Sequence, residues 1–153
     1  MKQKWRENLK HPYGLDYVEL VGVPMRRSKR EAKVDLRPLF LERLIARAIV
    51  TRRIPIRGKE VKLLRAAAGL SLDKFARRLG ITSGAVFHWE KAEATRLMPI
   101  NEAAVRALCA EELAVDIPAR FSELIGIGPE RLTLDVSRLG KKRASESVDS
   151  DFA

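Results

Sequence analysis

Ser83, Phe87, His88 and Lys91 stand at i, i+4, i+5 and i+8, so a helix over this stretch would present all four along one side. Their chemistry is that of recognition rather than bond breaking. An imidazole can donate to the N7 or O6 edge of guanine, though without the two-pronged reach of a guanidinium, and His88 is read as a base contact. The Phe87 ring can pack on a thymine methyl group, or equally on a second copy of the chain or on its N-terminal part. Thr82 and Ser83 lie where a helix would begin, a place suited to phosphate, and Ser83 is also read as a base contact. Gly84 between them and Phe87 offers no side chain. Lys59, Lys74, Lys91 and Arg96 are candidate phosphate contacts, with a solvated charged face as the equal alternative for each.

Other reactive groups are few. The two histidines and the one cysteine, His11, His88 and Cys109, fall on separate elements and form neither a triad nor a metal cluster. A P-loop and a GxGxxG are both missing, and the carboxylates interleave with basic residues as surface pairs do. The expectation is therefore no catalytic residue, no metal, no cofactor and no enzyme. A lone cysteine rules out an internal disulfide and fits a reducing cytoplasm. No apolar run approaches the roughly 20 residues of a membrane span. The basic opening MKQKWRENLKH lacks the apolar core of a secretory signal. Net charge is +10 over 153 residues, with pI near 10.2. A solvated surface does not need that excess, whereas a phosphate-rich partner uses it through counterion release. Double-stranded DNA is the expected partner.

These side chains need helices to hold them. Ser71 is a good N-cap for a helix over 72–79, with Asp73 well placed near its positive end. Gly80 makes the turn and Thr82 caps a second helix over 83–92. Ala76 is the small residue the crossing of the two helices demands, and Ala85, Val86 and Trp89 face inward. Earlier helices are expected over 39–50, opened by Pro38, and over 58–68, closed by Gly69, with a hinge or linker at 51–58. A later helix runs from an Asn101 cap to about Leu113, with Cys109 as a small buried hydrophobe, and a short one lies around 118–124. Strands are expected at 15–23 and 33–36, separated by a basic loop at 26–30, and at 130–136. The polar end from Gly140 reads as disorder.

The stretch LLRAAAGLSLDKFARRLGITSGAVFHWEK resembles the Cro/CI-type (XRE) helix-turn-helix family, over about residues 58–113. That resemblance implies a domain of four or five helices that binds operator DNA as a dimer. It also implies a partly buried, structural salt bridge between Arg65 and Glu90, which stand at the matching positions. The flanks, GLDYVEL then IARAIV then a basic linker, are similar to MqsA-type antitoxins and their stand-alone regulator relatives. Many of those carry a zinc module of paired CxxC motifs. A structural zinc site wants four Cys or His ligands and this chain has three such residues in all, so zinc is not expected.

The fold class read from these patterns is mainly α: a helix-turn-helix domain of four to five helices with a small N-terminal β-containing extension. Its parts are an extension with linker at 1–57, the DNA-binding domain at 58–126 and a C-terminal segment at 127–153. The expected function is that of a cytoplasmic, homodimeric, sequence-specific repressor acting at its own promoter. An antitoxin that also neutralises a protein toxin, and an RNA-binding or protein-interaction adaptor, are the alternatives.

Overall fold

An eleven-residue strand organises the sheet in the computed structural model, which describes residues 3–118, 120–128 and 131–137. This strand, β2 (Val18–Ser28), pairs along one side with β1 (Lys4–Lys10), antiparallel. Its other side is shared. The later half of β2 pairs antiparallel with β3 (Glu31–Val34), and the earlier half pairs parallel with β4 (Leu132–Asp135). Leu15, Val18, Leu20, Val23, Met25, Leu132, Leu134 and Val136 are buried, the alternation of a sheet covered on one face. Val21 and Gly22 bulge opposite Asn8, whose Oδ1 accepts from Gly22 N at 3.0 Å, while Arg6 donates to Gly22 O at 2.8 Å. Lys29 and Arg30 connect β2 to β3 in a two-residue turn with φ of 49° and 77°.

Five helices follow: α1 (Pro38–Thr51), α2 (Gly58–Ala68), α3 (Leu72–Leu79), α4 (Ser83–Lys91) and α5 (Pro99–Glu112). A 3₁₀ turn covers Phe121–Leu124. The chain divides into two units. The first holds residues up to Leu41 together with β4, and the second holds Glu42–Glu130; the line falls within α1. In the second unit α4 packs on α2 and α3, and α5 packs on the same two helices. Val61, Leu64, Phe75, Ala76, Val86, Val105 and Cys109 are buried there.

The architecture is thus mixed α/β, with a four-stranded mixed sheet, and not mainly α with a small β-containing extension. Two physical reasons hid the sheet. Strand β1, KWRENLK, is charged and mostly solvated, so it shows no apolar alternation. The basic run at 26–28 reads as loop, but it continues β2 because both its neighbours supply hydrogen-bonding partners. The stretch at 51–58 also differs from a hinge: Ile54, Ile56 and Gly58 are buried, and Ile56 O accepts from Leu97 N at 2.9 Å. Helix α5 begins at Pro99 after a Met98 cap, three residues before the expected Asn101 cap, because proline suits the first helical position. The disorder expected from Gly140 onward lies outside the described residues.

Candidate nucleic-acid interface

The unit that presents the recognition residues begins at the start of α2. Glu60, fully buried, accepts from the Arg57 amide and from Nε of the same residue, both at 2.9 Å, so the N3 carboxylate ties back to the residue that opens α2. Gly58 N donates to Thr95 O and Lys59 N to Glu93 O, so the loop after α4 is stitched to the first turn of α2. A β-carbon on Gly58 would lie 2.0 Å from Trp89 O and 2.5 Å from Ala92 O. Only glycine lets the last turn of α4 approach this closely.

Helices α3 and α4 are each capped by a hydroxyl. Ser71 accepts from Lys74 N and Thr82 from Ala85 N, each at 3.2 Å. Gly80, at φ 73°, ends α3 with its amide donating to Arg77 O at 3.1 Å. Val86 is buried, whereas Ala85 and Trp89, expected inside, are half-buried.

Arg65 of α2 holds the end of α4. Its Nε donates to Glu90 Oε2 at 2.7 Å and its Nη2 to Glu90 Oε1 at 3.0 Å, with Nη1 donating to Leu70 O at 3.1 Å. The hydrogen bond and charge of Glu90 raise the Arg65 pKa against the opposing effect of burial.

The solvent side of α4 carries Gly84, Phe87, His88 and Lys91, all exposed, with Phe87 at 49%. Lys91 Nζ lies 5.1 Å from the Phe87 ring centroid, a cation–π contact that gathers the two into one patch. Thr82 is exposed, and its oxygen caps α4 while its own proton remains available to donate. Ser83 is half-buried and donates to Asp73 Oδ1. A carboxylate therefore stands at the amino end of α4. Lys74 and Arg77 are exposed on α3 beside this edge.

Arg96 is placed differently from the other candidate phosphate contacts. Its Nε donates to Glu102 at 2.9 Å and its Nη2 to Gly126 O at 2.7 Å. It belongs to a polar network that sequence reading missed. Glu102 is fully buried and also accepts from the amides of Ile56, at 3.0 Å, and Gly126. Arg106, one helical turn on and equally buried, donates to Ile49 O at 2.7 Å, Val50 O at 3.2 Å and Leu124 O at 2.7 Å. It thereby caps the carbonyl end of α1. Burial, with the charges of Arg53 and Arg96, lowers the Arg106 pKa to about 10 despite Glu102, leaving it charged at neutral pH. The available signal was positional: Glu102 and Arg106 occupy i and i+4 on the buried face of α5.

Among the described residues no group of three or more His, Cys, Asp or Glu is placed to hold a metal ion. No helix among them is long and apolar enough to cross a membrane. Comparison with family models, with curated proteins and with solved structures finds no match to this chain.

Proposed function

We propose that the chain is a Cro/CI-like regulator that reads duplex DNA by laying α4 in the major groove. The observation carrying this reading is one combination: two short capped helices joined at Gly80, with Val86 buried beneath α4 and Phe87, His88 and Lys91 exposed on it. An aromatic ring, an imidazole and an ammonium group on one solvated face supply apolar, donor and cationic contacts together, as a DNA groove would use them. In this reading His88 donates to a guanine edge and Phe87 contacts a thymine methyl group. Lys91, Lys74, Lys59 and the Thr82 hydroxyl bind backbone phosphates. One such helix reads only a few base pairs, so the chain acts as a homodimer on two half-sites, as a repressor at its own promoter.

The test is binding to a duplex covering the region upstream of its own gene and to a scrambled duplex of equal length, across a salt series, with wild type and His88→Ala. The expected result is tighter binding upstream that survives moderate salt and falls in the variant by a factor of about 5 to 100, the range for one lost base contact. Equal, steeply salt-dependent binding of wild type to both duplexes would overturn base reading by α4.

A further inference from the structure

Half of the chain's excess charge belongs to the segment that forms most of the sheet. Residues 1–41 hold ten Lys and Arg against five Asp and Glu, a net +5 of the total +10. The register concentrates this charge. Lys4 pairs with Arg26, and Arg26 pairs with Lys33, so three cations lie directly opposite one another in a row across β1, β2 and β3. Cross-strand partners share a face, and like charges at that spacing are destabilising. The acids on the same face are Asp35, 3.8 Å from Lys4 and 3.5 Å from Arg26, and Glu31 beside the row, with Glu19 and Asp135 toward the other end of the sheet, opposite Lys10 and Val21. Lys33 has no carboxylate within ion-pair distance among the described residues. Arg37 joins Lys4, Arg26 and Asp35 around an open cleft beside the row. At the hairpin tip Lys29 and Arg30, both exposed, take the left-handed conformation that asparagine and glycine adopt at less cost.

We propose that this face of the sheet is a second, sequence-independent binding surface for the sugar-phosphate backbone of duplex DNA. The identity of the polyanion rests on the function proposed above; the surface itself does not depend on α4. A row of cations that repel one another in the free protein gains most from a ligand that repeats negative charge at short intervals, and each phosphate neutralised releases counterions. Contacts from lysine ammonium groups and guanidinium forks to backbone phosphates fix position and carry no base readout.

The test uses the full chain in titrations of a fluorescent duplex about two helical turns long, at several salt concentrations. Lys4→Gln, Arg26→Gln and Lys33→Gln are combined. Each lost phosphate contact removes about 0.9 from the steepness of log K against log salt, so a total loss of about 2.7 is expected. The loss should be the same on upstream and scrambled duplexes. An unchanged slope in a variant that melts normally would overturn the proposal. If the triple variant folds poorly, Lys33→Gln alone should lose about 0.9, and an unchanged slope there is equally fatal. His88→Ala separates the two surfaces: it should remove discrimination between duplexes and leave the sheet-dependent slope in place. Discrimination lost in His88→Ala, with slopes untouched in the sheet variants, would leave α4 standing and remove the sheet. A slope lost in the sheet variants, when wild type never discriminates, would do the reverse.

Discussion

Arg65 grips Glu90 with two nearly parallel hydrogen bonds, of 2.7 and 3.0 Å, and directs its third nitrogen to the carbonyl of Leu70. Arginine and glutamate side chains are 19% and 9% exposed, so the pair is shielded from solvent without being sealed. It ties the end of α4 to α2, and Leu70 O fixes the entry into α3. Arg65→Ala leaves the Glu90 carboxylate and the Leu70 carbonyl without their partner and should cost about 2–3 kcal/mol. Arg65→Lys keeps the charge but cannot form the fork, and should recover less than half of that. Thermal melts of both variants check the order; an Arg65→Ala melt identical to wild type would show the clamp to be idle.

Glu102 predicts an acid limb. Burial alone would raise its pKa, but the hydrogen bonds from Arg96, Gly126 N and Ile56 N, with the charge of Arg96, outweigh it and hold the carboxyl below its usual value. A carboxylate with a depressed folded pKa stabilises the fold above its unfolded pKa, and that contribution disappears as pH falls through the folded one. Stability should therefore fall as pH drops below about 4.5, progressively down to the depressed value. Glu102→Gln turns a donor toward groups that are themselves donors and should cost about 3 kcal/mol at neutral pH. Denaturant midpoints followed from neutral to acid pH should show the variant less stable but flatter below about pH 4.5 than wild type.

The helices and the sheet were unequally legible. Caps and breakers act within a few residues, so Ser71, Gly80 and Thr82 mark α3 and α4 in the sequence, and Gly58–Ala68 appears with the same bounds. Strand β1 has no local signature, because its stability comes from β2 and not from its own side chains. The parallel pairing of β2 with β4 joins segments more than a hundred residues apart, beyond the reach of any periodicity. For the site, spacing exposes Phe87, His88 and Lys91 correctly because the period of a helix is fixed. Spacing says nothing about what Arg96 touches. Its partners, Glu102 and Gly126, come from a helix and a loop whose arrangement is set by tertiary packing.

Gly58 and Gly80 should respond very differently to the same change. A methyl group on Gly58 meets backbone oxygens of Trp89 and Ala92 at 2.0 and 2.5 Å, and backbone cannot swing aside. Gly58→Ala should cost about 3 kcal/mol or more and disturb the end of α4. A methyl group on Gly80 would point into open space, leaving only the strain of a left-handed φ, so Gly80→Ala should cost only about 1 kcal/mol. Urea midpoints of the two variants decide it; equal losses would mean the loop after α4 can move away from α2.

Cys109 reports on the core of the second unit. Burial, reinforced by Glu112 and only partly offset by Arg106, pushes its thiol up to about 12, so almost no thiolate exists near neutral pH. Labelling by a thiol reagent should be negligible in the native protein and should rise with the same urea midpoint as the loss of helical signal. Rapid labelling without denaturant would show that α5 opens locally.

Asp73 makes a functional prediction from an unhelpful contact. Its carboxylate accepts from Ser83 at the amino end of α4, so a negative charge stands where the proposed reading brings a phosphate. Asp73→Asn preserves a side chain able to accept from Ser83 and removes the repulsion. Stability should change by less than about 1 kcal/mol, since the residue is exposed and retains its place in the first turn of α3. Affinity for duplex DNA should rise at low salt, about three- to tenfold, and the gain should shrink as salt screens the charge. The comparison is an anisotropy titration of wild type and Asp73→Asn at two ionic strengths. Unchanged affinity at both would mean that no phosphate approaches the start of α4, and the docking of that helix in the groove would have to be abandoned.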